Sequence, residues 1–297
     1  MSNTLVLKDG RIIDTNGDRV GDVVIDRDSG LILEVGTGLG ADDELDCEGL
    51  VISPGFIDLH VHLREPGLEA AETIFTGSRA AARGGFTAVI AMPNTTPTTD
   101  SVAVVEQVLA AGRKALCEVV PSAAISVDRK GEQLAPMAEL MAAGVRIFTD
   151  DGNGVQDAKF MRSALEYAGG LANDEAPVVL AQHCEVEALS KGGVMHEGEW
   201  SARLGLGGQP SEAEDLMVMR DIALCRLTGV RVHFQHLSTA GSVAMVRAAK
   251  AGGLPITAEA TPHHISLSDA CCAGFDPVFK VHPPLRTEQD VAAIKQG

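Results

Sequence analysis

The chain has 297 residues, 45% of them hydrophobic and 22% charged, so it can bury a large core and is not a disordered chain. A formal net charge of −17 and an aromatic content of 3% exclude a general nucleic-acid binder, an acidic-membrane binder and a base-stacking platform. An anionic substrate held by one or two local arginines remains compatible with that charge.

The first 52 residues carry short β-rich runs, "TLVLKDGRIID", "DVVIDRDSGLILEVG" and "DELDCEGLVISPG", split by Asp-Gly and Asp-Ser-Gly turn signals. They predict a small antiparallel β unit over 1–52. From residue 53 onward, apolar strand-like runs alternate with Ala-rich helical patterns to residue 297. The predicted strands are "GFIDLHVHL", "FTAVIAMPN", "CEVVPSAAIS", "VRIFTDDG", "PVVLAQHCE", "VRVHFQHLS" and "PITAEATPHH". Strand–helix alternation with buried strands means an α/β fold with a parallel sheet, and this many units favours a TIM-type (β/α) barrel. No G-x-G-x-x-G follows the first strand and there is no P-loop. Such a barrel has eight strands and seven are visible, so the expectation is a barrel lacking its eighth strand. Ser211 and Glu214 read as a capping box. No stretch reads as a signal peptide or membrane span, and the six cysteines have no C-x-x-C or disulfide-framework spacing; reduced thiols in the cytoplasm are expected.

Active sites of such barrels lie at the C-terminal ends of the strands. His60 and His62 alternate with Val61, so both side chains face the same way. Asp150 and Asp151 follow the fourth strand, His183 ends the fifth and His236 the sixth. Imidazoles and one carboxylate converging from four strands suit a divalent metal, zinc above all. The two aspartates face opposite ways, so one is a ligand and the other a turn or supporting group. His233, at opposite strand parity to His236, is expected to point outward; His196 is expected in solvent. His263 and His264 are candidates for supporting contacts, and Cys184 for a small buried hydrophobe.

The segments "PGFIDLHVHLREPG", "ARGGFTAVIAMPNT", "FTDDG", "AQHCE", "HEGEW", "QHLS", "TAEATPHH" and "PPLR" resemble, in family order from about residue 3 to the end, the long bacterial dihydroorotases of the amidohydrolase superfamily. Hydantoinases, dihydropyrimidinases and allantoinases share the His-x-His start, but there a carboxylated lysine bridges two metals after strand four. "FTDDG" has an aspartate at that place, which is the dihydroorotase variant.

The resemblance implies a metal-dependent-hydrolase barrel over 53–297 and a small N-terminal β portion of a composite sandwich. It implies two zinc ions per subunit: His60 and His62 on the first, Asp151 bridging, His183 and His236 on the second. Arg64 would clamp the substrate carboxylate with parallel donors, and Asn94 would hydrogen-bond the substrate. His282, where relatives carry Asn or another small polar residue, would be a further substrate contact. The implied reaction is the reversible hydrolysis of L-dihydroorotate to N-carbamoyl-L-aspartate in pyrimidine biosynthesis. The family's proton shuttle is an aspartate on the eighth strand, outside these residues, so the catalytic acid/base is unassigned and a 297-residue chain is expected to bind metal weakly and turn over little. Homodimers and association with aspartate carbamoyltransferase are the partners implied. The alternatives are a non-catalytic carbamoyltransferase partner or another cyclic-amide hydrolase of the hydantoinase or allantoinase kind.

Overall fold

The turn signals of the N-terminal segment do two different jobs. Asp28-Ser29-Gly30 turns β2 (Gly17–Asp26) into β3 (Ile32–Gly36), with Gly30 at φ +72° donating to the Asp26 carbonyl. Asp9-Gly10, read as a turn from sequence, instead lies inside one long strand, β1 (Thr4–Asp14), as a bulge against β2. The bulge puts Asp9 at φ +55°, and its amide is held by buried Asp22 at 2.8 Å. β4 (Asp43–Asp46) and β5 (Val51–Ile52) join the other edge of β1 in parallel, so the unit is mixed rather than purely antiparallel. In the computed structural model residues 3–297 are described, and their contacts separate this unit, which runs to Ile57, from Asp58–Gly297.

The remainder is α/β. Its strands are β6 (Phe56–Val61), β7 (Phe86–Ala91), β8 (Glu118–Pro121), β9 (Ile147–Thr149), β10 (Val179–His183), the short pair β11 (Met195–His196) and β12 (Gly208–Gln209), then β13 (Val232–Gln235) and β14 (Ile256–Ala258). Between and after them run α1 (Ile74–Arg83), α2 (Val102–Gly112), α3 (Met137–Ala142), α4 (Ala158–Leu171), α5 (Glu187–Ser190), α6 (Glu199–Leu204), α7 (Glu212–Thr228), α8 (Ala240–Ala251) and α9 (Glu288–Gln296). One sheet has the order β6-β7-β8 and another β14-β13-β10-β9. A parallel bridge from Ala123 to Phe148 links the stretch after β8 to β9, so these seven strands follow one another in chain order. Apolar strand residues bury against the helices: Phe148, Leu180 and Phe234 pack with Met161, Leu165 and Met217.

Two local expectations are corrected. Ser211 makes no side-chain cap bond on α7. Glu214 is instead buried and receives the Ser238 and Thr239 amides at 3.0 and 3.1 Å, fixing the loop that follows β13. β11, β12 and α6 are built from the "HEGEW" region, where His196 is buried with Nδ1 3.1 Å from the Arg286 guanidinium, not in solvent. Among the described residues no helix is long and apolar enough to cross a membrane.

Candidate metal centre

Asp151 is the hub of the strand-end cluster. It is buried, and four imidazoles surround its carboxylate. His60 Nε2 lies 3.3 Å from Oδ1, His183 Nδ1 3.5 Å and His236 Nε2 3.5 Å, while His62 Nε2 lies 3.6 Å from Oδ2. These distances are long for charge-assisted hydrogen bonds. They match donors sharing an ion: two ligands about 2.1 Å from one tetrahedral zinc stand about 3.4 Å apart. His236 Nδ1 is buried without a partner, and His183 Nδ1 faces His236 Nε2 at 2.9 Å. Two imidazole nitrogens facing each other beside a carboxylate need a proton or a cation between them, so the donor set fits a divalent metal.

Burial by itself would raise the Asp151 carboxyl, but the adjacent imidazoles of His183, His236 and His60 hold it well below the usual carboxylate range. Burial opposes charge on His60 too, yet Asp151 and Glu259 raise it to about 10; for His183, Asp151 and Glu185 outweigh burial and raise it to about 9. On His236 burial prevails and lowers it to about 4.

Asp150 has a different task. Its carboxylate turns away and accepts the Ile125 amide at 2.8 Å, the Ser126 amide at 3.0 Å and the Ser126 hydroxyl, pinning the loop after β8. Asn94, just past β7, uses both ends of its amide: Oδ1 is 2.9 Å from His62 Nδ1, and Nδ2 donates to Asp151 Oδ2 at 3.2 Å. It therefore orients two cluster members, with one amide hydrogen left over. Arg64 follows His62 at φ +57°, and its charge, after burial, is among the causes that lower His62. Among the described residues its guanidinium has no carboxylate partner. The Arg64 loop is fixed at Gly67, φ +101°, where a Cβ would come within 2.0 Å of the Thr96 carbonyl oxygen. His282 is half-exposed at the mouth, its ring stacked on His183 at 5.4 Å and its Nε2 against Glu185.

Several residues at the site were not singled out from sequence. Glu185, two positions after His183, stands 3.3 Å from His183 Nε2. Glu259, one past β14, stands 2.6 Å from His60 Nδ1. Arg129 donates to the Asp151 carbonyl at 2.7 Å. The available signal was an acidic residue at a strand end. His233 does not point outward: its Nε2 is 3.1 Å from Glu259 and its Nδ1 2.8 Å from Thr257 Oγ1. It shares parity with Gln235, which is buried and bonded to Thr149. The parity rule fails at His236 instead, which lies beyond the strand at φ +36° and so swings into the cluster. His264 is buried against the Pro283 carbonyl and stands outside the donor cluster; Cys184 is buried in the core, as expected.

The family model "Dihydro-orotase-like" matches residues 49–242. The chain is 48% identical to a dihydroorotase of Pelotomaculum thermopropionicum, over 99% of this chain and 68% of that protein. It is 46% identical to a dihydroorotase of Streptomyces coelicolor, over 100% of this chain and 68% of that one. Among solved structures, an L-hydantoinase (dihydropyrimidinase) from Arthrobacter aurescens shares the fold at a TM-score of 0.82 with 20% identity, over 99% of this chain and 66% of that one. A D-hydantoinase (dihydropyrimidinase) from Thermus sp. aligns at 0.73 with 25% identity, over 98% and 66%. The chain thus spans about two thirds of these relatives' length, and the hydantoinases share its architecture at low identity. With near-half identity to dihydroorotases across its whole length, and an aspartate at the hub of its cluster, the chain belongs to the dihydroorotase family.

Proposed function

We propose that this chain carries the metal centre and substrate clamp of a dihydroorotase, which reversibly hydrolyses L-dihydroorotate to N-carbamoyl-L-aspartate on the way to pyrimidine nucleotides. The observation that carries this reading is the single buried carboxylate of Asp151 set 3.3–3.6 Å from four imidazoles. His60, His62 and Asp151 would hold one zinc, and Asp151, His183 and His236 a second. When bound, the zinc pair supplies an acidified water and a Lewis acid for the ring carbonyl. Arg64 receives the substrate carboxylate in its planar donor fork. Asn94 offers its remaining amide hydrogen to the ring, and His282 donates from the rim. Asp151, anchored by Asn94, keeps the two halves of the cluster in register. No proton shuttle is assigned among these residues.

The scaffold proposed is the (β/α) barrel of the metal-dependent hydrolases, with the seven strands described above forming its wall. The N-terminal β unit is read as one part of a sandwich, consistent with the solvent-facing Leu31, Ile32 and Leu33 of its third strand region. A cytoplasmic location, a homodimer and a docked aspartate carbamoyltransferase are proposed on family grounds.

The test is to purify the full protein and measure its bound zinc and its turnover of dihydroorotate, hydantoin and dihydrouracil. Two zinc ions and turnover of dihydroorotate, both lost in Asp151→Ala, are expected. Turnover of hydantoin but not dihydroorotate would reassign the chain to the other cyclic-amide hydrolases. Zinc-free co-purification with a carbamoyltransferase would make it a scaffold.

A further inference from the structure

Glu259 occupies an unusual position between strands. It follows β14, the last strand of the seven-strand order, yet its side chain meets His60 on β6, the first. The backbone around it is fixed from both sides: its amide donates to the Phe234 carbonyl at 3.0 Å, and its carbonyl receives the Leu237 amide at 2.9 Å. One carboxylate oxygen, Oε1, lies 2.6 Å from His60 Nδ1 and 3.3 Å from the His236 amide. The other, Oε2, lies 3.1 Å from His233 Nε2, and His233 Nδ1 lies 2.8 Å from the Thr257 hydroxyl.

The Glu259 carboxylate fixes the protons on the two nitrogens that face it. An ionised carboxylate only accepts, so both facing nitrogens are donors: His60 Nδ1–H and His233 Nε2–H. His233 Nδ1 pairs with the Thr257 hydroxyl, which can donate or accept. Gln235 Nε2, 3.3 Å from His60 Nδ1, is itself a donor and does not compete for that proton. With Nδ1 fixed as the N–H, the nitrogen left to His60 for an ion is Nε2, the one 3.3 Å from Asp151. Carboxylates commonly orient ligand imidazoles in this way and raise their basicity.

We propose that Glu259 is a positioning residue: held by His233, it fixes the tautomer and ring direction of His60 and thereby sets metal affinity on the His60 side of Asp151. This rests on the metal reading given above. Its chain of contacts, Thr257–His233–Glu259–His60, also gives His233 a task that strand parity had excluded.

The experiment compares the wild-type chain with Glu259→Gln, Glu259→Ala and His233→Ala. Zinc affinities of the two sites are measured by chelator competition, Co²⁺ absorption spectra are recorded, and thermal unfolding of the metal-free chains is followed. His60→Ala and His183→Ala identify which step belongs to which site. Glu259→Ala is expected to weaken the His60-side site by about 10- to 100-fold and alter its Co²⁺ spectrum. Glu259→Gln keeps the shape but loses the charge and is expected to fall between; His233→Ala shifts the same site by less. Should Glu259→Ala not fold, Glu259→Gln decides. Wild-type affinity in Glu259→Gln overturns the proposal, as does a lower unfolding temperature with unchanged affinity, or equal weakening of both sites. A wild-type chain that binds no metal overturns the reading of the centre, and this proposal with it.

Discussion

On the His60 side of Asp151, both imidazoles have a partner at each nitrogen: Glu259 and Asp151 for His60, Asn94 and Asp151 for His62. On the other side, His183 and His236 face each other at 2.9 Å, and the far nitrogen of His236 is buried with no partner. The backing carboxylates differ as well. Glu259 sits on a strand end between two histidines, whereas Glu185 divides itself among His183, Ser190 and the half-exposed His282. One half is therefore preset by neutral and charged partners. In the other, the two imidazoles share one contact and the far nitrogen of His236 has no partner.

Removing the shared hub should erase the difference altogether. Asp151→Ala is expected to lose both metals and cut turnover by about a thousand-fold, equivalent to about 4 kcal/mol of transition-state stabilisation, as read by metal content and kcat. Arg64→Ala leaves both halves intact and should act on the substrate alone. A lost charge-assisted pair costs about 1.5–3 kcal/mol, or about 10- to 150-fold in KM for dihydroorotate, with zinc content unchanged. Glu185→Gln tests whether the less dedicated carboxylate matters less: its effect on zinc affinity at the His183 side should sit near the lower, about 10-fold, end of the usual range. His282→Asn removes one claimant on Glu185 and should move affinity at that side by only about two- to three-fold, seen in the same chelator titration, since a partly exposed ion pair contributes about 0–1 kcal/mol.

A pH experiment separates both halves from the surrounding scaffold. His264 is buried between the Thr261 hydroxyl and the Pro283 carbonyl, and burial, aided by neighbouring His263, lowers its pKa to about 3. The folded state thus prefers the neutral ring. Its contribution is fully present above the ordinary value near 6.5 and is lost as pH falls toward 3, by about 2 kcal/mol between pH 6.5 and 5. His264→Gln should flatten the stability of the metal-free chain over that window, as followed by urea unfolding.

The strand–helix rhythm, and the seven strands with it, could be read from the sequence because apolar runs and Ala-rich helical patterns are local signals. His60 and His62 were legible for the same reason: they sit on or next to one strand, where alternation holds. His236 was found from its strand-end position, but its direction depends on a left-handed residue beyond β13, which parity cannot see. His233 was misjudged by the same rule. Glu214 and Glu259 were misassigned or missed because each acts on a partner far along the chain, 24 residues away for Glu214 and Ser238 and 199 for Glu259 and His60; Glu185 lies only two residues past His183, and its bond depends on how the chain turns beyond the strand end. Asp9-Gly10 was read as a turn because the dipeptide is the same in a turn and in a bulge; only the pairing of β1 with β2 separates them.

The turning away of Asp150 has a kinetic consequence. With that carboxylate committed to the loop after β8, Asp151 is, among the described residues, the one carboxylate shared by the four imidazoles; even with Glu259 and Glu185 beside His60 and His183, two divalent ions there would leave a local excess of positive charge. The whole chain, by contrast, carries −17. An anionic substrate approaching from bulk would meet repulsion at long range and attraction within the last few ångströms. Added salt screens the distant field far more than the buried one, since the Debye length is about 8 Å at physiological ionic strength. Association of dihydroorotate should accordingly quicken as ionic strength rises from low values, the reverse of the usual steering of an anion to a cationic site.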